Sequence, residues 1–272
     1  DRVVFRLLEI FPGALSWSVL ILSFLLSWKT PALVAILIIF FVIFWFLRTV
    51  YLSLHLRIGF QRVREHTLTN WIEKLNSLSS KEYSVRVSSW RDIWHLVILP
   101  MYQEPYGIVR ASFQALVDSG LSPGRLIVIL ALEERAGELG NETVRKIEQE
   151  FASKFSQFLV THHPADLAGE IPGKGSNERW AVREALEKII DRKRIPHESV
   201  IVSVFDADTA VFPGFFSCLT YHYLTDEKPL RTSFQPVPLF INNVWQAPAF
   251  ARVIGFSSTF WHTMNQERSE KH

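Results

Sequence analysis

Two long apolar runs open the chain, and short β-branched runs alternating with helical periodicity follow them. Residues 10–28 and 30–47 carry no charged side chain, and only Lys29 stands between the two runs. A bilayer-spanning helix needs about 20 predominantly apolar residues; both runs come close, the second continuing past Arg48 to Leu54. The pattern predicts a two-helix transmembrane hairpin over residues 1–54, turning at Lys29-Thr30-Pro31. From residue 55 to 76, Leu56, Phe60, Val63, Leu68, Trp71, Ile72 and Leu75 recur at helical spacing among charges. That spacing predicts a helix lying along the membrane surface, within an amphipathic interfacial linker spanning residues 55–92.

After a polar break at residues 77–81, residues 94–99 form an apolar run ended by Pro100 and predict a first core strand. Residues 125–132, 157–161 and 200–205 predict three more. Helical stretches at 106–119, 141–155 and 177–193 separate them. Strands alternating with helices of this length indicate an α/β fold, a mostly parallel sheet with helices on both faces, over residues 93–236. The remaining segment, 237–272, is rich in aromatics around Leu239, Trp245, Phe260 and Trp261. It suits interface helices packed on a bilayer better than a channel that stacks on sugars.

Basic residues orient the hairpin. Arg2 and Arg6 precede it, and Arg48, Arg57, Arg62 and Arg64 follow, so the positive-inside rule puts both ends in the cytoplasm. A cleaved signal peptide does not fit, because the apolar run is too long and a second follows at once. The expectation is an integral protein of the cell membrane with a cytoplasmic catalytic domain. A net charge of +2 argues against nucleic acid as a partner, while the arginines after the second run suit anionic lipid headgroups. The single cysteine, Cys218, can form no internal disulfide and reads as a small buried hydrophobe.

The chemistry concentrates at Asp206 and Asp208, which follow the fourth apolar run. In an open parallel sheet, ligands gather at the carboxyl ends of strands. Alternation points both carboxylates one way and Ala207 the other. Two hard oxygen donors suit Mg²⁺ or Mn²⁺, with the other coordination positions left to water and phosphate. The competing reading makes Asp206 a turn residue and Asp208 the N-cap of a helix starting near Pro213.

Three earlier segments supply further polar groups. Pro100-Met101-Tyr102-Gln103-Glu104 ends the first strand, and Glu104 serves either a ligand or the cap of the next helix. Glu133-Glu134-Arg135 ends the second strand. Gly169 to Asn177 contains Gly173-Lys174-Gly175, where glycines allow close backbone approach and Lys174 offers a positive charge for a diphosphate. Its spacing is not that of a Walker A loop. Asn177 suits either a helix cap or a ligand. His162 and His163 are tempting as metal ligands, although surface or strand-end histidines are commoner.

In this order the motifs resemble those of the family 2 glycosyltransferases, in the membrane-anchored branch that includes cellulose and hyaluronan synthases. The resemblance covers roughly residues 96–236 and implies a GT-A (Rossmann-like) fold. It also implies an inverting, metal-dependent hexosyltransferase acting on a UDP- or GDP-sugar and a polysaccharide or lipid-linked acceptor. It assigns the nucleoside to Glu104 and to Glu133, where relatives have Asp-Asp and the register is open by one position. It assigns the donor diphosphate to Lys174, Asn177 and Asp206, and the metal to Asp206 and Asp208.

The family's general base is expected beyond Phe234-Gln235-Pro236, which resembles the acceptor-side strand. No Glu-Asp-rich triplet follows, and the remaining carboxylates, Glu267 and Glu270, sit in a polar tail. No Gln-x-x-Arg-Trp motif or later span follows, and the chain begins at Asp1 without methionine. The expectation is a fragment that binds nucleotide sugar and transfers poorly. Two other functions compete. A haloacid dehalogenase-type phosphohydrolase also opens on Asp-x-Asp, but Ala210 and the three preceding strand-helix elements disagree with it. A scaffold that kept the fold and lost the chemistry would equally lack the base.

Overall fold

The structure, a computed structural model, describes residues 2–266 apart from 172, 242, 243 and 246. Two compact units divide it: residues up to 61 together with those from 237 onward, and residues 62–236.

The first unit is built on α1 (Arg2–Lys29) and most of α2 (Pro31–Leu68), whose last residues, from Arg62, belong to the second unit. α1 buries no side chain, and α2 buries only Val34 and Gly59. Both are long and apolar enough to cross a membrane. A helix that is apolar all round needs either a protein core or lipid around it. α1 and α2 do not pack side by side along their lengths among the described residues. Only Thr30 separates the helices; its N–H donates to Leu26 O at 2.7 Å, and Val34 N–H donates to Thr30 O at 3.3 Å. These bonds close α1 and open α2, so the helical pattern breaks at Thr30. Nor does a separate surface helix begin at residue 55, because α2 continues to Leu68.

The second unit contains the sheet. After the end of α2 comes α3 (Trp71–Ser77), capped by Asn70, whose side chain accepts from Glu73 N–H at 3.2 Å. Both Trp71 and Leu75 of α3 are buried, Leu75 completely in a cluster with Ile93, Ile201 and Leu224, and Trp71 against Tyr221 and His222. This part of the expected interfacial linker thus helps form the core of the α/β unit.

Then follow β1 (Trp94–Met101), α4 (Tyr106–Val117), β2 (Leu126–Glu133), α5 (Gly137–Phe151), β3 (Gln157–His163), α6 (Lys174–Ala185), β4 (Val200–Val204) and α7 (Phe215–Thr225). All sheet pairings are parallel, in the order β3-β2-β1-β4. Alternate residues of β1 serve opposite faces, as the period of a strand requires. Val97, Leu99 and Met101 meet α4, α5 and α7 through Phe113, Phe151 and Phe216. Leu96 and Ile98 meet α6 through Ala181 and Ala185. The expected α/β sheet with helices on both faces is present.

Two expectations at the carboxyl end fare differently. Residues 232–241 form no strand; Pro236 and Pro238 each remove a donor that a ladder would need. Instead, α8 (Ala249–Asn265) closes the described chain and belongs to the first unit. There Gly59 of α2 lies so near Thr263 that an added Cβ would stand 2.6 Å from its carbonyl oxygen. Glu267 and Glu270 lie outside the described residues.

Candidate functional site

The order β3-β2-β1-β4 places a topological switch point between β1 and β4, because the chain builds outward from β1 in one direction and then returns to its other side. At such a point the loops after adjacent strands diverge and open a crevice. A cleft of about 350 Å³ lies there, and Glu104, Glu133, Lys174, Asn177, Asp206 and Asp208 all line it.

Each side chain is held by its own local structure. Glu104, in the loop after β1, accepts from the backbone N–H of Tyr102 at 2.7 Å. It does not cap α4, whose N-cap position is Pro105 without a side-chain bond. Glu133 ends β2 almost wholly buried, and the Arg135 guanidinium neutralises it, with Nε 3.1 Å from its carboxylate. That contact in turn raises the Arg135 pKa. Glu134 turns elsewhere and accepts from Ala165 N–H at 3.0 Å. Of the two carboxylates, Glu133 faces the cleft.

Gly173, with φ of +156°, leads into the first turn of α6, a conformation that favours glycine. Lys174 follows and forms an ion pair with Asp206, while Glu178 lies 3.8 Å from the same ammonium. The hydrogen bond to Asp206 is the main cause that raises the Lys174 pKa, with the Glu178 and Asp208 charges adding to it. Asn177 is 1% exposed, and its Nδ2 donates to the Ala131 carbonyl at 2.7 Å, tying α6 to β2. Its Oδ1 has no hydrogen-bond partner among the described residues. An unsatisfied buried acceptor costs about 1–3 kcal/mol, so its presence on a cleft wall points to a donor that arrives from outside.

Asp206 and Asp208, both exposed, flank the buried Ala207 just beyond the end of β4. Ser112 of α4 donates to the Ala207 carbonyl at 2.8 Å and pins the turn. Asp206 O accepts from Thr209 N–H at 2.9 Å, so the backbone does turn here. The capping alternative fails for Asp208, because α7 starts after Gly214 with no side-chain cap. The two carboxylates meet a simple test of fit for Mg²⁺ or Mn²⁺: both are exposed, both are hard donors, and a cationic ammonium already stands against one of them.

His163 is buried as a structural residue, 3.1 Å from Glu170 and edge-on to Trp180. Arg135 and Ser112 escaped the sequence reading. Arg135 stands in a charged run that looks solvated, and nothing local marks a serine in mid-helix as a partner for a loop 95 residues later.

Comparison with protein-family models, curated proteins and solved structures finds no match. The functional reading accordingly rests on the cleft itself and on the motif resemblance.

Proposed function

We propose that the chain is a metal-dependent glycosyltransferase of the family 2 type. It would move a hexose from a UDP- or GDP-sugar to a polysaccharide or lipid-linked acceptor, with inversion, at the cytoplasmic face of the cell membrane. One observation carries the reading: six polar side chains from four sequence-distant segments converge on one cleft at the sheet's switch point. A GT-A description of the fold belongs to the same proposal.

In this reading Glu104 and Glu133 accept hydrogen bonds from the base and ribose, and Asn177 Oδ1 accepts one from a donor hydroxyl or N–H group. Lys174 exchanges Asp206 for the diphosphate, donating to oxygens whose negative charge grows as the glycosidic bond breaks. Asp206 and Asp208 would hold a divalent cation, which when bound neutralises charge on the departing nucleoside diphosphate. Membrane attachment is supported by α1 and α2, and the cytoplasmic side by Arg48, Arg57, Arg62 and Arg64 after the second apolar run. No residue is assigned as general base.

Calorimetry with UDP, GDP and their sugars in the presence of Mn²⁺ tests the proposal. We expect binding that weakens by about tenfold or more in Asp208→Ala, a loss of about 1.4 kcal/mol. Absence of binding, as a scaffold requires, or binding indifferent to Asp208→Ala would overturn it. Turnover of simple phosphate esters without nucleotide sugar would favour the phosphohydrolase instead.

A further inference from the structure

A second group of ligating side chains gathers in the α/β unit, and none of its members lines the cleft. Cys218 and His222 stand four residues apart on α7, a spacing that turns both to one face of a helix. His66, in the last turn of α2, reaches the same place. One ligand atom from each of the three lies within 4.8 Å of the others.

The surroundings hold the group in position. Trp71 packs edge-on to His66 with ring centroids 5.3 Å apart, and its indole N–H donates to the His66 carbonyl at 2.8 Å. The rings of Trp71 and Tyr221 lie 5.4 Å and 5.6 Å from that of His222. His222 Nε2 is shielded from solvent and has no hydrogen-bond partner among the described residues. A buried imidazole nitrogen left open in this way is a ligand position awaiting a partner. Cys218 on its own offers little chemistry, since burial pushes its thiol up to about 11 and leaves it neutral.

We propose that His66, Cys218 and His222 form a binding site for a zinc-class transition-metal ion. Two imidazoles and one sulfur are borderline donors that suit Zn²⁺ or Co²⁺, whereas Mg²⁺ and Ca²⁺ take oxygen. An i,i+4 pair on one helix face is a known way to present two ligands to zinc. With Zn–N of about 2.0–2.1 Å and Zn–S of about 2.3 Å, ligand atoms in a tetrahedral site stand roughly 3.5 Å apart. The present spread of up to 4.8 Å exceeds that distance, so the three side chains must draw together on binding. On binding, the sulfur–metal bond forms as the thiol proton leaves to solvent, and water takes the fourth position.

Lys74 is a cationic neighbour that works against the ion. Its ammonium rests over the Trp71 and Tyr221 rings, 4.9 Å and 5.5 Å from their centroids, and its charge also favours thiolate over thiol. A metal here would staple the end of α2 to α7.

Cobalt titration of the full chain in detergent tests the site, using an Asp206→Asn, Asp208→Asn background so that the cleft carboxylates cannot respond. We expect a thiolate-to-cobalt charge-transfer band in the near ultraviolet with strong visible bands of four-coordinate cobalt, all removed by Zn²⁺. Cys218→Ser should abolish the charge-transfer band. His66→Ala, which alters an exposed helix end, should weaken cobalt binding on the order of tenfold or more, since even outer ligands cost that much. A folded chain that gives no band, a band that survives Cys218→Ser, or unchanged affinity in His66→Ala would overturn the assignment.

Discussion

His95 sits in β1 wholly out of solvent, and its chemistry is set by one neighbour. Thr220 donates its hydroxyl to Phe216 O at 2.8 Å, so at 2.9 Å from His95 Nε2 it accepts, and Nε2 carries the proton. Burial lowers the His95 pKa from 6.5 to about 3. Between those values the unfolded chain binds a proton that the folded chain refuses, so this contribution to stability is complete above pH 6.5 and declines as pH falls. Between pH 6.5 and 5 the loss should be about 1.5–2 kcal/mol. Denaturant midpoints at several pH values in this window should fall for the native chain and stay flatter for His95→Gln; equal slopes would assign the effect to other groups. At this scale the sequence was readable only in part. Asp206 and Asp208 were marked by the strand before them, but Glu133 and Glu134 differ only in which way β2 ends, and that depends on Arg135 and on the loop at Ala165. Cys218 was read only as a small hydrophobe, and nothing in the sequence joined it to His222 or to His66, which lies 152 positions before it.

Among elements, α5 packs closely on the loop after β1. A Cβ on Gly140 would stand 2.7 Å from the Tyr102 carbonyl oxygen, 2.7 Å from Ala136 Cβ and 2.9 Å from Leu132 Cδ1. Backbone at that distance cannot yield cheaply, so Gly140→Ala should cost about 1–3 kcal/mol. It should also weaken nucleotide binding, because Tyr102 leads directly to Glu104. Gly107→Ala, where nothing lies within 4 Å, is the matched control and should leave both properties near native. If thermal melts and calorimetry cannot distinguish the two variants, this account of the loop is wrong. The four strands were legible because continuous apolar runs bounded by Pro, Gly and charges leave few alternatives. What misled was context. The apolar face of residues 71–75 says only that something covers it, and α7 rather than a bilayer covers Trp71 and Leu75. Lys29-Thr30-Pro31 likewise resembles a longer turn, yet proline at the first position of a helix costs no hydrogen bond, so α2 starts with only Thr30 between it and α1.

For the molecule as a whole, the contrast lies between helices that expose almost every apolar side chain and an α/β unit with filled cores. Alkaline carbonate should leave the chain in the membrane pellet and detergent should release it; release by carbonate alone would remove the membrane from the proposal. The charges are as unevenly spread as the apolar residues. The chain is net positive, but in the cleft four carboxylates outnumber Lys174 and Arg135 by two, and both cations are already engaged. A free diphosphate approaching that surface meets repulsion, and the ammonium that would receive it is turned toward Asp206. On the proposed function, the Lys174–Asp206 pair then works as a coincidence detector. A cation alone must displace the lysine and an anion alone finds no vacancy, so only the two arriving together find the latch open.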